Sequence, residues 1–365
     1  MSFRSIKLIT TITAATLGAI TTAYAGSYAG NPYSPTYGHA YRHGVVPTVE
    51  TWKQMHDWVA FNPDVAAATG PNTQSIGGGI DGIGVTSGIP KVYLVVYGKQ
   101  WGTAGSDANG NLTLSKDTKG LVPRVQQLFR GVGTGSEKWS GTMTQYCDGS
   151  SVATGATSCP SGAPHVGYPT NGDLAGVWYD NSVSSPSAAS GNQLAKEAIK
   201  AAGHFGNTSA ASNRLAQYVI LSPPGSNPDN YKSNGFCAWH DYNGDTSLSG
   251  GAAASNVGDI AFTNMPYITD VGASCGANFV NSGSAGTLDG VTIVEGHEYA
   301  ETLSDQNPGG GWINFNSGEE NGDECAWISS GQGASANVTM GNGSYAMQST
   351  WSNDTNRCDI SHTVL

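Results

Sequence analysis

Lys91-Val92-Tyr93-Leu94-Val95-Val96-Tyr97 is an apolar, β-branched run that stops at Gly98, and it reads as the clearest strand of the chain. A second, Tyr218-Val219-Ile220-Leu221, is cut off by Pro223-Pro224, and residues 259–265 form a third candidate. Helical periodicity lies between and around them. Residues 49–59 place Trp52, Met55 and Trp58 near one face, and residues 121–132 and 193–202 read as amphipathic helices. Residues 288–304 predict a further helix despite Gly290 and Gly296, ended by Asn307-Pro308-Gly309-Gly310-Gly311. Strands interleaved with helices predict one loop-rich α/β domain over residues 47–365, with a central sheet and peripheral hairpins. No internal repeat or linker interrupts it.

The N-terminus and the cysteines agree on where such a chain would fold. Arg4 and Lys7 precede a short apolar run over residues 8–20, and Ala23-Tyr24-Ala25 offers small residues to a signal peptidase. Residues 1–25 are therefore expected to be a cleaved export signal, with residues 26–46, rich in Gly, Tyr, Pro and Ser, a poorly ordered leader. Six cysteines, at 147, 159, 237, 275, 325 and 358, make three disulfides the default in an exported chain. Sequence order suggests Cys147–Cys159, Cys237–Cys275 and Cys325–Cys358, among 15 possible connectivities. None sits in a C-x-x-C pair, which argues against a thiolate zinc site or a redox motif.

Net charge is −11, which argues against nucleic acid or an anionic membrane as partner. The distribution says more. Between Lys232 and Arg357 there is no Lys or Arg, yet the stretch holds 14 acidic residues, eight of them from Glu295 to Glu324. Carboxylates gathered without basic partners are either solvated on a surface or neutralised by a cation.

Gly296-His297-Glu298-Tyr299-Ala300-Glu301 favours the cation. On a helix His297 and Glu301 are four apart and face the same way, so both can grip one ion. Glu298 then lies beside the ion, where a general base for water is needed. This is the logic of H-E-x-x-H with glutamate replacing the second histidine. Eighteen residues separate Glu301 from Glu320, and Asp323 follows three further on. Thermolysin-like metallopeptidases place a third glutamate ligand and a bracing aspartate at similar spacing. His297, Glu301 and Glu320 are thus the expected ligands of a divalent ion, with Glu298 as base and Asp323 as brace. Zinc suits the motif. Two carboxylates and one neutral imidazole cancel a divalent charge, however, and oxygen-rich ligation also suits Mn²⁺ or Ca²⁺.

Two neighbouring features can be read in more than one way. His240, beside Cys237, could donate to an oxyanion or be satisfied by a backbone carbonyl. Asp241-Tyr242-Asn243-Gly244-Asp245 opens like a calcium loop but lacks the closing glutamate at position 12, which leaves a plain turn. No G-x-S-x-G nucleophile elbow and no phosphate-binding G-x-x-x-x-G-K occurs.

Several blocks resemble the EXORDIUM/phosphate-induced protein family of secreted plant and bacterial proteins. The strand from Val92 to Gly98 is similar to that family's early strand, and Phe236-Cys237-Ala238-Trp239-His240 to its cysteine–histidine block. His297-Glu298-Tyr299-Ala300-Glu301, then Trp312, then Glu320-Asn321-Gly322-Asp323-Glu324-Cys325 follow the order of its C-terminal signature, and residues 351–358 resemble its closing segment. The chain departs from the plant pattern in glycine-rich insertions around residues 148–190 and 306–318. The resemblance implies an extracellular location and, in plants, a role in growth control at the cell wall. It implies no reaction.

The residues themselves point to a secreted, monomeric, metal-dependent hydrolase acting on an extracellular peptide or cell-wall substrate. The alternative is a non-catalytic, wall-associated protein with a structural cation.

Overall fold

A computed structural model of the protein describes residues 30–62 and 71–365. The expected export signal lies outside these residues. Six strands form the central sheet: β1 (His43–Pro47), β2 (Lys91–Tyr97), β3 (Leu174–Asp180), β4 (Ala216–Leu221), β5 (Phe236–Tyr242) and β6 (Ala261–Met265). Their order is β1-β5-β6-β4-β2-β3. β3, β2, β4 and β6 run parallel, whereas β5 pairs antiparallel with β6, and β1 antiparallel with β5.

Four main helices accompany the sheet: α1 (Val49–Phe61), α2 (Leu121–Gly131), α3 (Gly191–His204) and α4 (Asp289–Ser304). α2 connects β2 to β3 and α3 connects β3 to β4, and they lie on opposite faces. The apolar run of β2 shows why both are needed. Val92, Leu94 and Val96 share one core with Val122, Val125 and Phe129 of α2 and Val291 and Val294 of α4. Tyr93 and Val95, pointing the other way, share a second core with Leu194, Ala198 and Ala201 of α3. A strand with no polar alternation has no face that tolerates water, so both faces are covered.

α4 carries the sequence from His297 to Glu301. All 16 of its residues are buried, between the sheet, α2 and a hairpin formed by β7 (Ala336–Met340) and β8 (Gly343–Met347). Its two glycines have packing causes. A Cβ on Gly290 would sit 1.8 Å from the Cys275 carbonyl oxygen, and one on Gly296 would sit 2.5 Å from Met347 Cε. The helix ends at Asp305, whose carboxylate accepts hydrogen bonds from the Gly309 and Gly311 backbone N–H groups.

The three disulfides suggested by sequence order are present, with Cα–Cα distances of 6.0, 5.7 and 5.7 Å. Such bridging is typical of extracellular proteins. Among the described residues no helix is long and apolar enough to cross a membrane.

The leader expected over residues 26–46 needs correction. From Gly30 onward it is part of the fold. Asn31 donates to the Met55 carbonyl at 3.1 Å, Arg42 is buried in an ion pair with Asp229 at 2.7 Å, and β1 forms an edge of the sheet. A composition rich in Gly, Pro, Ser and Tyr marks turns, and here successive turns dock on the domain, held by Asn31, the buried Arg42 and the pairing of β1.

A candidate metal centre between α4 and the sheet edge

Four segments bring the site together. α4 supplies His297, Glu298 and Glu301, and β5 supplies His240. The loop after α4 supplies Glu320 and Asp323, and β1 lays Gly44 across the top. His240 reaches the helix because strand residues alternate. Trp239 enters the α3-side core, and His240, paired with Thr263, turns to the α4 side.

Glu301 is the hub. Its Oε1 accepts the backbone N–H groups of Gly322 and Asp323 at 3.1 and 2.9 Å. Its Oε2 has no hydrogen-bond donor at all and lies 2.9 Å from His297 Nε2 and 3.9 Å from His240 Nδ1. The loop can approach so closely because residue 322 is glycine: a Cβ there would stand 2.8 Å from Glu301 Oε1.

His297 is oriented by a residue that sequence reasoning missed. Gln348 donates through Nε2 to the carbonyls of Gly322 and Ser349, at 2.8 and 3.2 Å, which assigns its Oε1 as the acceptor facing His297 Nδ1 at 3.2 Å. In the neutral ring the proton therefore sits on Nδ1, which turns the Nε2 lone pair to Glu301 Oε2 and, at 3.5 Å, Asp323 Oδ1; in the protonated ring both nitrogens donate. Asp323 is held by the Glu320 backbone N–H on its other oxygen, at 3.1 Å.

His240 is placed in a parallel way. Nδ1 faces Glu298 Oε2 at 3.3 Å and Glu301 Oε2, whereas Nε2 faces Glu320 Oε2 at 3.5 Å. The ligand atoms of His297, Glu301 and Asp323 all lie within 4.8 Å of one another, as do those of His240, Glu298 and Glu301. His297, Glu301 and Glu320, the triple expected from spacing, form no such group: Glu320 stands against the other histidine. Asp323, expected as a brace, faces the same imidazole nitrogen as Glu301.

Electrostatics make this arrangement costly without a cation. His240, His297, Glu298 and Glu301 are fully buried, Glu320 is 3 % exposed, and among the described residues no Lys or Arg pairs with any of them. Burial pushes Glu298 and Glu320 well above the usual carboxylate range, and burial with the Asp323 charge lifts Glu301 to about 7. Burial also drives His240 well below the ordinary imidazole value. Burial opposes protonation of His297 too, but Glu301 and Asp323 outweigh it and raise its pKa. Without an ion, the cluster must gather protons to relieve its own charge. A divalent ion at bonds of about 2.0–2.2 Å would put neighbouring ligand atoms about 3.0–3.5 Å apart, which matches the spacings around His297.

The cluster is not sealed. A cavity of about 300 Å³ meets it at Gly44, Glu320 and Asp323, and is walled by Trp52 and Met55 of α1 and by Ile313 and Ala326. The stretch Asp241 to Asp245 is the end of β5 and the turn after it: Asn243 is spent on the Ala253 carbonyl and the Ile260 N–H, and Asp245 accepts from Ser247.

No protein-family model, curated protein or solved structure matches the chain.

Proposed function

We propose that the protein is a metal-dependent hydrolase of the extracellular space, most directly a peptidase, with its ion held by His297, Glu301 and Asp323. One observation carries this reading. His297 Nε2 and Glu301 Oε2, both buried and without a hydrogen-bond partner, converge with Asp323 Oδ1. Acceptors aimed at one another call for a cation between them. An ion there would polarise a carbonyl and acidify a bound water. Glu298 Oε1 has no partner of its own and is the carboxylate placed to take a proton. The cavity supports catalysis over mere bracing, since it opens onto Glu320 and Asp323 and offers room for a substrate there. The motifs that resemble those of the EXORDIUM family support an extracellular setting.

The burial of the two histidines favours a second reading, a structural cation in a non-catalytic wall-associated protein. A peptide-library assay separates the two, using chelator-stripped protein with Zn²⁺, Mn²⁺ or Ca²⁺ added back in turn. Hydrolysis restored by an ion, and reduced about a hundred- to ten-thousand-fold by Glu298→Gln, supports the enzyme. Ion-dependent thermal stabilisation with no cleavage under any ion supports the structural reading.

A further inference from the structure

The two histidines stand in the same relation to Glu301. Each turns one ring nitrogen outward to an oxygen: His297 Nδ1 to Gln348 Oε1 in a hydrogen bond, and His240 Nε2 towards Glu320 Oε2 at 3.5 Å, where both atoms are without a hydrogen-bond partner while Nδ1 contacts Glu298 Oε2. Each turns the other nitrogen inward to two carboxylate oxygens, one of them always Glu301 Oε2. An imidazole whose outer N–H is held by a carboxylate or amide and whose inner nitrogen is bare is the usual posture of a metal ligand. A neutral imidazole has a single N–H. If His240 gives it to Glu320, its Nδ1 lone pair faces Glu298 and Glu301 with nothing between. If it gives it to Glu298, Nε2 faces Glu320 in the same predicament. A single ion beside His297 answers only one of the two histidines.

Charge gives an independent argument. Glu298, Glu301, Glu320 and Asp323 carry four negative charges when ionised, and among the described residues no Lys or Arg pairs with them. One divalent ion leaves two uncompensated in a buried volume, and two divalent ions leave none.

We infer that the centre takes two divalent cations bridged by Glu301 Oε2, the second held by His240 Nδ1 and Glu298 Oε2. This rests on the metal reading above and extends it. Glu298 would bind through Oε2 and keep Oε1 free, so its part in proton transfer is retained. Ions sharing one carboxylate oxygen would lie about 3.5–4 Å apart, the separation at which paired ions clamp the attacking and leaving oxygens of a displacement.

Mn²⁺ is the probe, because two ions at that distance couple magnetically and an isolated ion does not. Chelator-stripped wild-type protein is titrated with Mn²⁺, with bound metal counted after gel filtration and the paramagnetic resonance spectrum recorded. Two ions per chain with a coupled spectrum are expected. His240→Ala should retain one ion and show the isolated-ion spectrum. One ion per chain in wild type, or two without coupling, overturns the bridged pair and leaves the single-ion reading standing. No bound ion in wild type overturns both. The wild-type count and spectrum decide the matter even should His240→Ala fail to fold.

Discussion

Gly44→Ala is the substitution whose effect follows most directly from the packing of β1 on the centre. Gly44 has φ +51, and a Cβ there would fall 2.0 Å from Glu301 Oε2 and 2.6 Å from His240 Nδ1 and Cε1. The backbone alone costs an alanine about 1–2 kcal/mol in this left-handed region. The added methyl must also displace a carboxylate pinned by two backbone N–H groups and an imidazole packed between helix and sheet. Overpacking of that kind costs about 1–3 kcal/mol more, for a total of about 2–5 kcal/mol. Gly38→Ala is the control: the same segment and also a positive φ of 74, but with nothing within 4 Å of the new Cβ. Urea unfolding of both variants, with metal content measured alongside, isolates the clash from the backbone term. Gly44→Ala should lose about 1–3 kcal/mol more than Gly38→Ala and bind metal less tightly. Equal unfolding midpoints with equal metal affinity would refute the claim that β1 closes over the centre.

Gln348→Ala should weaken metal binding about 10–100-fold with a small change in stability, because it removes the acceptor that fixes the His297 tautomer; competition with a chromogenic chelator reads it. A pH effect should arise far from the centre at Glu197, 5 % exposed on α3, where burial and then the neighbouring Asp180 push the pKa up to about 8. A carboxyl raised above its unfolded value of about 4.5 binds more protons when folded, so its contribution to stability fades as pH climbs from near 5 through 8. Melting curves of Glu197→Gln between pH 5 and 9 should therefore fall less with rising pH than those of wild type; parallel curves would contradict the assignment.

The helix and its motif were readable because an i, i+4 relation is local. Once residues 288–304 form a helix, His297 and Glu301 must share a face, and nothing distant can change that. The strands at 91–97 and 218–221 were readable for a similar reason, since an apolar β-branched run between turn residues has few alternatives. Long-range relations were less accessible. Glu320 and Asp323 follow α4 at a suggestive distance, but which oxygen meets which imidazole depends on how the loop folds back onto Glu301 Oε1, a bond to backbone that leaves no side-chain signature. His240 comes from β5, whose pairing with β6 sets the face it occupies. Gln348 follows the hairpin β7–β8 and carries no motif. Gly44 was hidden most completely, because a turn-rich segment looks like a leader until its strand pairing is known.

The most direct test of the account is the metal content of protein purified without chelator or dialysis, for wild type and Glu301→Gln side by side. Glu301 Oε2 touches both histidine groups, so one amide substitution strikes the whole centre. Wild type should carry a divalent transition metal or calcium ion in stoichiometric amount, and Glu301→Gln should carry far less and melt at lower temperature, since an ion bound only by the folded state stabilises it. Metal-free wild-type protein whose melting temperature is unmoved by added Zn²⁺, Mn²⁺ or Ca²⁺ would contradict the metal centre.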